Sequence, residues 1–321
     1  LVVRPSGGGG GGRDAIINDF VTPDDNIGNW IDVGRSPDGV DTDGTQKNQN
    51  LAQTKLGTKL YSVQFGTDRQ VIATAATTNA PSSLSAADIK NIYEGTYRTW
   101  GDVPGYTGPA PTETIIPLTL PSDAGMWNTF LNGITAANGL ASPWPDSSAR
   151  SNPNSFNVQQ NDPTAIANLP EAQRKNAIVP FPRSRYTIVN KGYYTVAADG
   201  SGNTNAYNTA RSYTGGAHRK AADASGIKLL AATSTASGAS DPYGTNFAVR
   251  AIFRQSDLDS TVPWQPGSTL NWVKTLFYNP DPDGPTPFVN TPAGQALITA
   301  AGQTPTYHVF GTNNAEIDLG D

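Results

Sequence analysis

The chemistry on offer begins with six consecutive glycines at residues 7–12, bracketed by Ser6 and Arg13. Leu1-Val2-Val3 before them reads as a short buried strand. Ala15, Ile16, Ile17 and Phe20 after them place apolar side chains on one side of a short helix. A strand, a glycine loop and a helix start in that order suit an anion or a carboxylate. Glycine lets a ligand reach the backbone without meeting a Cβ, and a first helical turn carries unpaired N–H groups and partial positive charge. The same glycines also read as a flexible linker.

Other chemistries find less support. There is no cysteine, which removes disulfides, thiolate catalysis and cysteine-bound metal. The two histidines, His218 and His308, lie in polar or terminal stretches, and neither HExxH nor GxSxG occurs. They read as surface residues, and no catalytic role is expected. Asp41 and Asp43 hint at a calcium loop, but no bidentate Glu follows at the required distance. Neither a metal nor a cofactor is expected. The net charge of −5, with no Lys/Arg run, argues against nucleic acid as a partner.

The elements that must position the glycine loop follow from apolar patterning. With 36% hydrophobic residues, 15% charged, and six Trp, twelve Tyr and ten Phe spread along the chain, this is a globular composition with long polar loops. A strand is expected over 29–37, a polar surface excursion over 38–58, and strands over 60–65 and 71–75 around a Gly66-Thr67-Asp68-Arg69 turn. Ser85 with Asp88 forms a capping box, with Leu84 and Ile89 as its staple. Ile89, Ile92 and Tyr93 supply the buried stripe, and Gly95 ends the helix. A strand over 115–120 leads through Ser122-Asp123-Ala124-Gly125 into a helix whose apolar side is Met126, Trp127, Phe130, Leu131 and Ile134. Asp162-Pro163 opens a helix to Leu169, and Ala177-Ile178-Val179-Pro180-Phe181 is a strand. Beyond 187, strands are expected at 193–196 and 228–231. Ser268 should cap a helix over 270–278 that buries Leu270, Val273, Leu276 and Phe277. Thr291-Pro292 opens a last helix closed by Gly302. Alternating strands and helices predict an α/β fold with helices covering a sheet.

Four stretches in this order resemble the type II periplasmic-binding-protein family. They are most similar to the phosphate-binding component of ABC importers in its secreted, actinobacterial-type relatives. The stretches are Arg4-Pro5-Ser6-Gly7 through Arg13, Ile31-Asp32-Val33-Gly34-Arg35-Ser36, Leu84-Ser85 through Trp100, and Ala177-Ile178-Val179-Pro180-Phe181. The resemblance spans residues 1–185. It implies two α/β lobes with a cleft between them: residues 1–74 plus 187–321 in lobe one, and 75–186 in lobe two. It also implies ligand contacts from Ser6, Gly7, Gly8, Gly9, Gly10, Arg13, Arg35, Ser36, Asp68, Arg69, Ser122, Asp123, Gly125 and Trp127. In the family's layout Arg13, Arg35 and Arg69 stand at one sheet edge, where they favour an anion through paired charge-assisted bonds. The alternative is that each pairs with its neighbour Asp14, Asp38 or Asp68. Trp127 is either a cleft wall or, with Met126 and Phe130, core.

The chain also departs from the family pattern. Pro37 follows Ser36 where phosphate binders usually carry Asp. The family's Arg…Ser-Gly-Thr clamp is replaced by Thr119-Leu120-Pro121-Ser122-Asp123-Ala124-Gly125-Met126, in which only Gly125 is recognisable. The expectation is a secreted or cell-surface solute-binding protein that holds a small anionic or polar ligand and carries out no catalysis. A structural or adhesive protein that kept the fold is the alternative. No apolar run is long enough to span a bilayer. The family usually has a strand before the glycine loop, so a cleaved N-terminal piece or a second chain is expected to pair near Leu1-Val2-Val3.

Overall fold

The computed structural model describes residues 11–18, 33–41, 44–162, 165–190, 227–230, 246–259 and 271–319. The expected strands at 1–3 and 193–196, the glycines at 7–10, Ser268 and Leu270 lie outside them. The chain divides into two compact units, Leu1–Asp68 with Phe247–Asp321, and Arg69–Asn246. The borders that the resemblance implies are 74/75 and 186/187. Strand pairing carries residues 69–75 and 227–230 into the second unit.

The first unit opens with α1 (Gly11–Ile17), which starts inside the glycine run rather than after it and buries Ile16 and Ile17. It packs on β1 (Gly34–Ser36). A Cβ on Gly12 would stand 2.1 Å from the Arg35 carbonyl oxygen, and one on Gly34 would stand 2.2 Å from that of Gly12. At least one glycine of the run therefore serves close backbone packing.

The expected polar excursion over 38–58 contains a helix, α2 (Lys47–Leu56), with Gln49 and Ala52 buried. Its N-cap residue Gln46 makes no side-chain cap bond. The Asp41 carboxylate does so from outside the helix, accepting from the N–H groups of Asn48 at 2.8 Å and Gln49 at 3.2 Å. The Gln49 side chain then both donates to the Leu60 carbonyl and accepts from its N–H, each at 2.9 Å.

β2 (Leu60–Ala75) is one continuous strand where two strands and a turn were expected. The glycine read as a turn signal is a close-approach residue: a Cβ on Gly66 would lie 2.8 Å from Gln303 Oε1, and the register with the facing strand shifts between Gln64 and Gly66. The chain passes from the first unit to the second within β2, between Asp68 and Arg69.

In the second unit, α3 (Ala86–Glu94) forms as read. Ser85 caps it, the Asp88 box is closed, and Gly95 ends it at φ +77°. β3 (Ile116–Thr119) leads into α4 (Gly125–Ala137), then β4 (Phe156–Asn157) and β5 (Ala177–Pro182) follow. The helix expected to Leu169 is replaced, over 165–168, by turns. β6 (Ile227–Leu230) and β5 pair antiparallel with the second half of β2, whereas β3 runs parallel to both β5 and β4. The sheet order is therefore β6-β2-β5-β3-β4. Its core packs Tyr93, Trp127, Phe130 and Trp144 ring against ring, and the Tyr93 hydroxyl donates to the Leu118 carbonyl at 3.0 Å.

The first unit resumes with β7 (Asn246–Arg254), antiparallel to β1 and adjacent to β2, and ends with β8 (Thr304–Phe310), antiparallel to β2. Between them a helix over Trp272–Leu276 is capped by Asn271 and leaves Leu276 exposed, against the expectation of a longer buried helix. The helix Pro292–Ala300 is capped by Thr291 as read. Val63, Phe253, Leu258, Val273, Tyr278 and Val309 form the core here. Among the described residues no helix is long and apolar enough to cross a membrane.

Candidate functional site

In the first unit the candidate residues gather where α1 meets β1. Arg13 donates from Nε to Asp14 at 2.9 Å and from Nη1 to the Val40 carbonyl at 3.4 Å, so it takes the neighbour-pairing alternative. Arg35 is exposed on β1, whereas Ser36 is fully buried, its Oγ accepting from the Asp38 N–H at 3.1 Å. Across the β1–β7 register Ser36 faces Arg250. That guanidinium donates to the Pro37 carbonyl and lies 5.4 Å over the Phe310 ring. Burial pulls the Arg250 pKa below its ordinary value, and the Asp38 charge opposes that shift. Asp68 is buried on β2, and like Ser36 and Arg35 it is engaged with partners. Ser6 and Gly7 to Gly10 lie outside the described residues.

The second unit offers a different geometry. Because β3 and β5 are parallel, the segments after Thr119 and after Pro182 leave from one edge of the sheet. That edge, at the carboxyl ends of strands, is where open α/β sheets take ligands. Ser122 and Asp123 are exposed there, and Gly125 is the first residue of α4. The N-cap residue Ala124 supplies no side-chain bond. The helix closes on itself only from Trp127, whose N–H donates to the Ala124 carbonyl at 2.9 Å. Among the described residues no acceptor meets the Gly125 or Met126 N–H, so the first turn of a four-turn helix presents uncapped donors beside a side-chain-free residue.

Trp127 takes the core alternative. It is fully buried, its indole N–H donates to Asp146 at 2.5 Å, and the Arg150 guanidinium lies 4.7 Å over its ring. Arg150 also pairs with Asp146 at 2.6 Å and donates to the Leu120 carbonyl. Arg69, half-buried at the start of this unit, is engaged as well.

Two further residues stand at this edge that no sequence motif singles out. Gln70, buried on β2 opposite Pro182, donates to the Met126 carbonyl at 2.8 Å and so ties β2 to the first turn of α4. Arg183 opens the helix Arg183–Asn190 directly after β5. The sequence does show two arginines, Arg183 and Arg185, immediately behind an apolar strand. No group of three or more His, Cys, Asp or Glu side chains suited to a metal occurs among the described residues. Asp41, half of the hinted calcium pair, is occupied as the cap of α2.

No protein-family model matches the chain, and no curated protein does. Solved structures do. A DING protein crystal structure is 13% identical with a TM-score of 0.53, covering 93% of this chain and 83% of its own. The ancestral soluble variant of the Human Phosphate Binding Protein is 14% identical with a TM-score of 0.53, covering 93% and 82%. PfluDING, a high-affinity periplasmic phosphate-binding protein bound with phosphate, is 13% identical with a TM-score of 0.51, again covering 93% and 82%. The mixed α/β fold matches that of phosphate-binding periplasmic proteins of type II.

Proposed function

We propose that this chain is a secreted, non-catalytic solute-binding protein that holds a small oxyanion of the phosphate class at the first turn of α4. The observation that carries the reading is the pair of uncapped N–H groups at Gly125 and Met126, set at the carboxyl edge of the β3–β5 pair. Preorganised backbone donors at a helix start bind anions without needing a particular side chain. The loss of the family's Ser-Gly-Thr clamp therefore does not remove the site. Ser122 contributes a hydroxyl at the same turn. Asp123 opposes a fully ionised anion and accepts a hydrogen bond from a protonated one. Arg69, in the same unit, remains a proposed contact, whereas Ser6 with Gly7 to Gly10, Arg35, Ser36 and Asp68 are proposed ligand-binding residues of the first unit taken by itself. Arg13 is proposed with its charge shared with Asp14. The phosphate bound in the PfluDING structure supports the choice of ligand class.

Isothermal titration of the intact protein with inorganic phosphate and with sulfate tests the proposal. We expect saturable one-site binding of phosphate. At a free concentration about 100 times Kd, the ligand should add roughly 2.7 kcal/mol to stability. Heat of dilution alone for both ions, with no shift in melting temperature, would overturn the reading.

A further inference from the structure

We infer that Arg250 is the side chain through which the first unit, taken by itself, meets an oxyanion. The inference rests on the oxyanion reading above, in which Ser36 is a ligand-binding residue of this unit, and deepens it by supplying the cation.

The other guanidiniums described in this unit are committed. Arg13 is bonded to Asp14 and to the Val40 carbonyl, Arg254 is 3% exposed and 3.5 Å from Asp257, and Arg35 is engaged. Arg250 differs. Among the described residues it has one hydrogen-bond acceptor, the Pro37 carbonyl, and no ion pair. Its Nε is buried without an acceptor. Burial is the larger influence on its pKa and pulls it down, so the guanidinium has lost part of its water. A charge desolvated in this way is costly until an opposite charge approaches it.

The contacts that leave Arg250 unneutralised also hold it in place. Nη1 is anchored on the Pro37 carbonyl, the guanidinium lies 5.4 Å over the Phe310 ring, and the β1–β7 register sets the residue opposite Ser36. A side chain fixed before binding needs little further ordering when a ligand arrives. Nη2 makes no hydrogen bond among the described residues and is left to donate to an anion oxygen. A second observation in the same patch points the same way. Ser62, 1% exposed on β2, faces Phe310 across the β2–β8 register, and its hydroxyl has no hydrogen-bond partner among the described residues. Folded chains leave few buried donors unbonded. Two of them beside one ring mark a place that lacks acceptors, which an oxyanion carries.

The test is calorimetric titration of the intact protein with inorganic phosphate, comparing wild type with Arg250→Met, Arg250→Lys and Lys47→Met, the last removing an exposed cation of the same unit. We expect Arg250→Met to weaken binding by roughly tenfold or more, Arg250→Lys to fall between, and Lys47→Met to bind as wild type does. A second readout separates contact from scaffolding. The Arg250 side-chain N–H resonance of the isotope-labelled wild type, assigned by its loss in Arg250→Lys, should move saturably with the calorimetric midpoint. Wild-type affinity in Arg250→Met, an equal loss in Lys47→Met, or a resonance unmoved at saturating phosphate would overturn the assignment while leaving the reading at α4 intact. The resonance decides the matter even where Arg250→Met fails to fold. No phosphate binding by the wild type would overturn both.

Discussion

At the scale of single residues, what a side chain touches separates site from scaffold better than its type does. Trp127 directly follows the proposed anion contacts Gly125 and Met126, yet it is fully buried among Tyr93, Phe130 and Arg150. Trp127→Ala should therefore cost stability, about 3–5 kcal/mol by urea unfolding, as for other large aromatic deletions in cores. A loss below about 1 kcal/mol would show that the indole is not core. Asp102 makes a second prediction. Its carboxylate accepts from the backbone N–H of Thr99 at 2.8 Å and of Arg98 at 2.9 Å. Those bonds, Thr99's first, hold its pKa below the ordinary 3.8. A depressed carboxylate pKa adds stability above the unfolded-state value, and that contribution is lost as pH falls through the folded-state value. Asp102→Asn should be less stable than wild type near about pH 6 and indistinguishable from it below the folded pKa. A constant gap across that range would refute the linkage.

At the scale of elements, the sequence was most legible where start and stop signals are local. The Ser85–Asp88 box, Gly95, and Thr291 before Pro292 each act within four residues of the helix they bound, and each forms as read. α2 escaped because its surface is polar and its cap lies outside the helix, at Asp41. Only the folded chain brings that carboxylate to the N–H groups of Asn48 and Gln49. The Gly66–Arg69 turn was misread because glycine signals turns and close approaches alike, and Ile298 and Gln303, which crowd Gly66, lie more than 200 residues away in sequence. The candidate site follows the same division. Ser122, Asp123 and Gly125 were readable at a helix start, whereas Gln70 and Arg183 reach that edge through strand pairing. Asp41→Ala should cost about 1–2 kcal/mol, as loss of a helix cap does, and should speed hydrogen exchange at Asn48 and Gln49. Unchanged exchange at those amides would contradict the capping account.

At the scale of the whole molecule, the net charge of −5 works against any anion approaching from solvent. Binding must then come from short-range donors, and this places the weight on the N–H groups of Gly125 and Met126 rather than on the overall field. The most direct test is the amide spectrum of the isotope-labelled intact protein during titration with inorganic phosphate. The account predicts that the Gly125 and Met126 amide resonances move saturably, with the midpoint found by calorimetry. Saturable phosphate binding that leaves those two amides unmoved would contradict it.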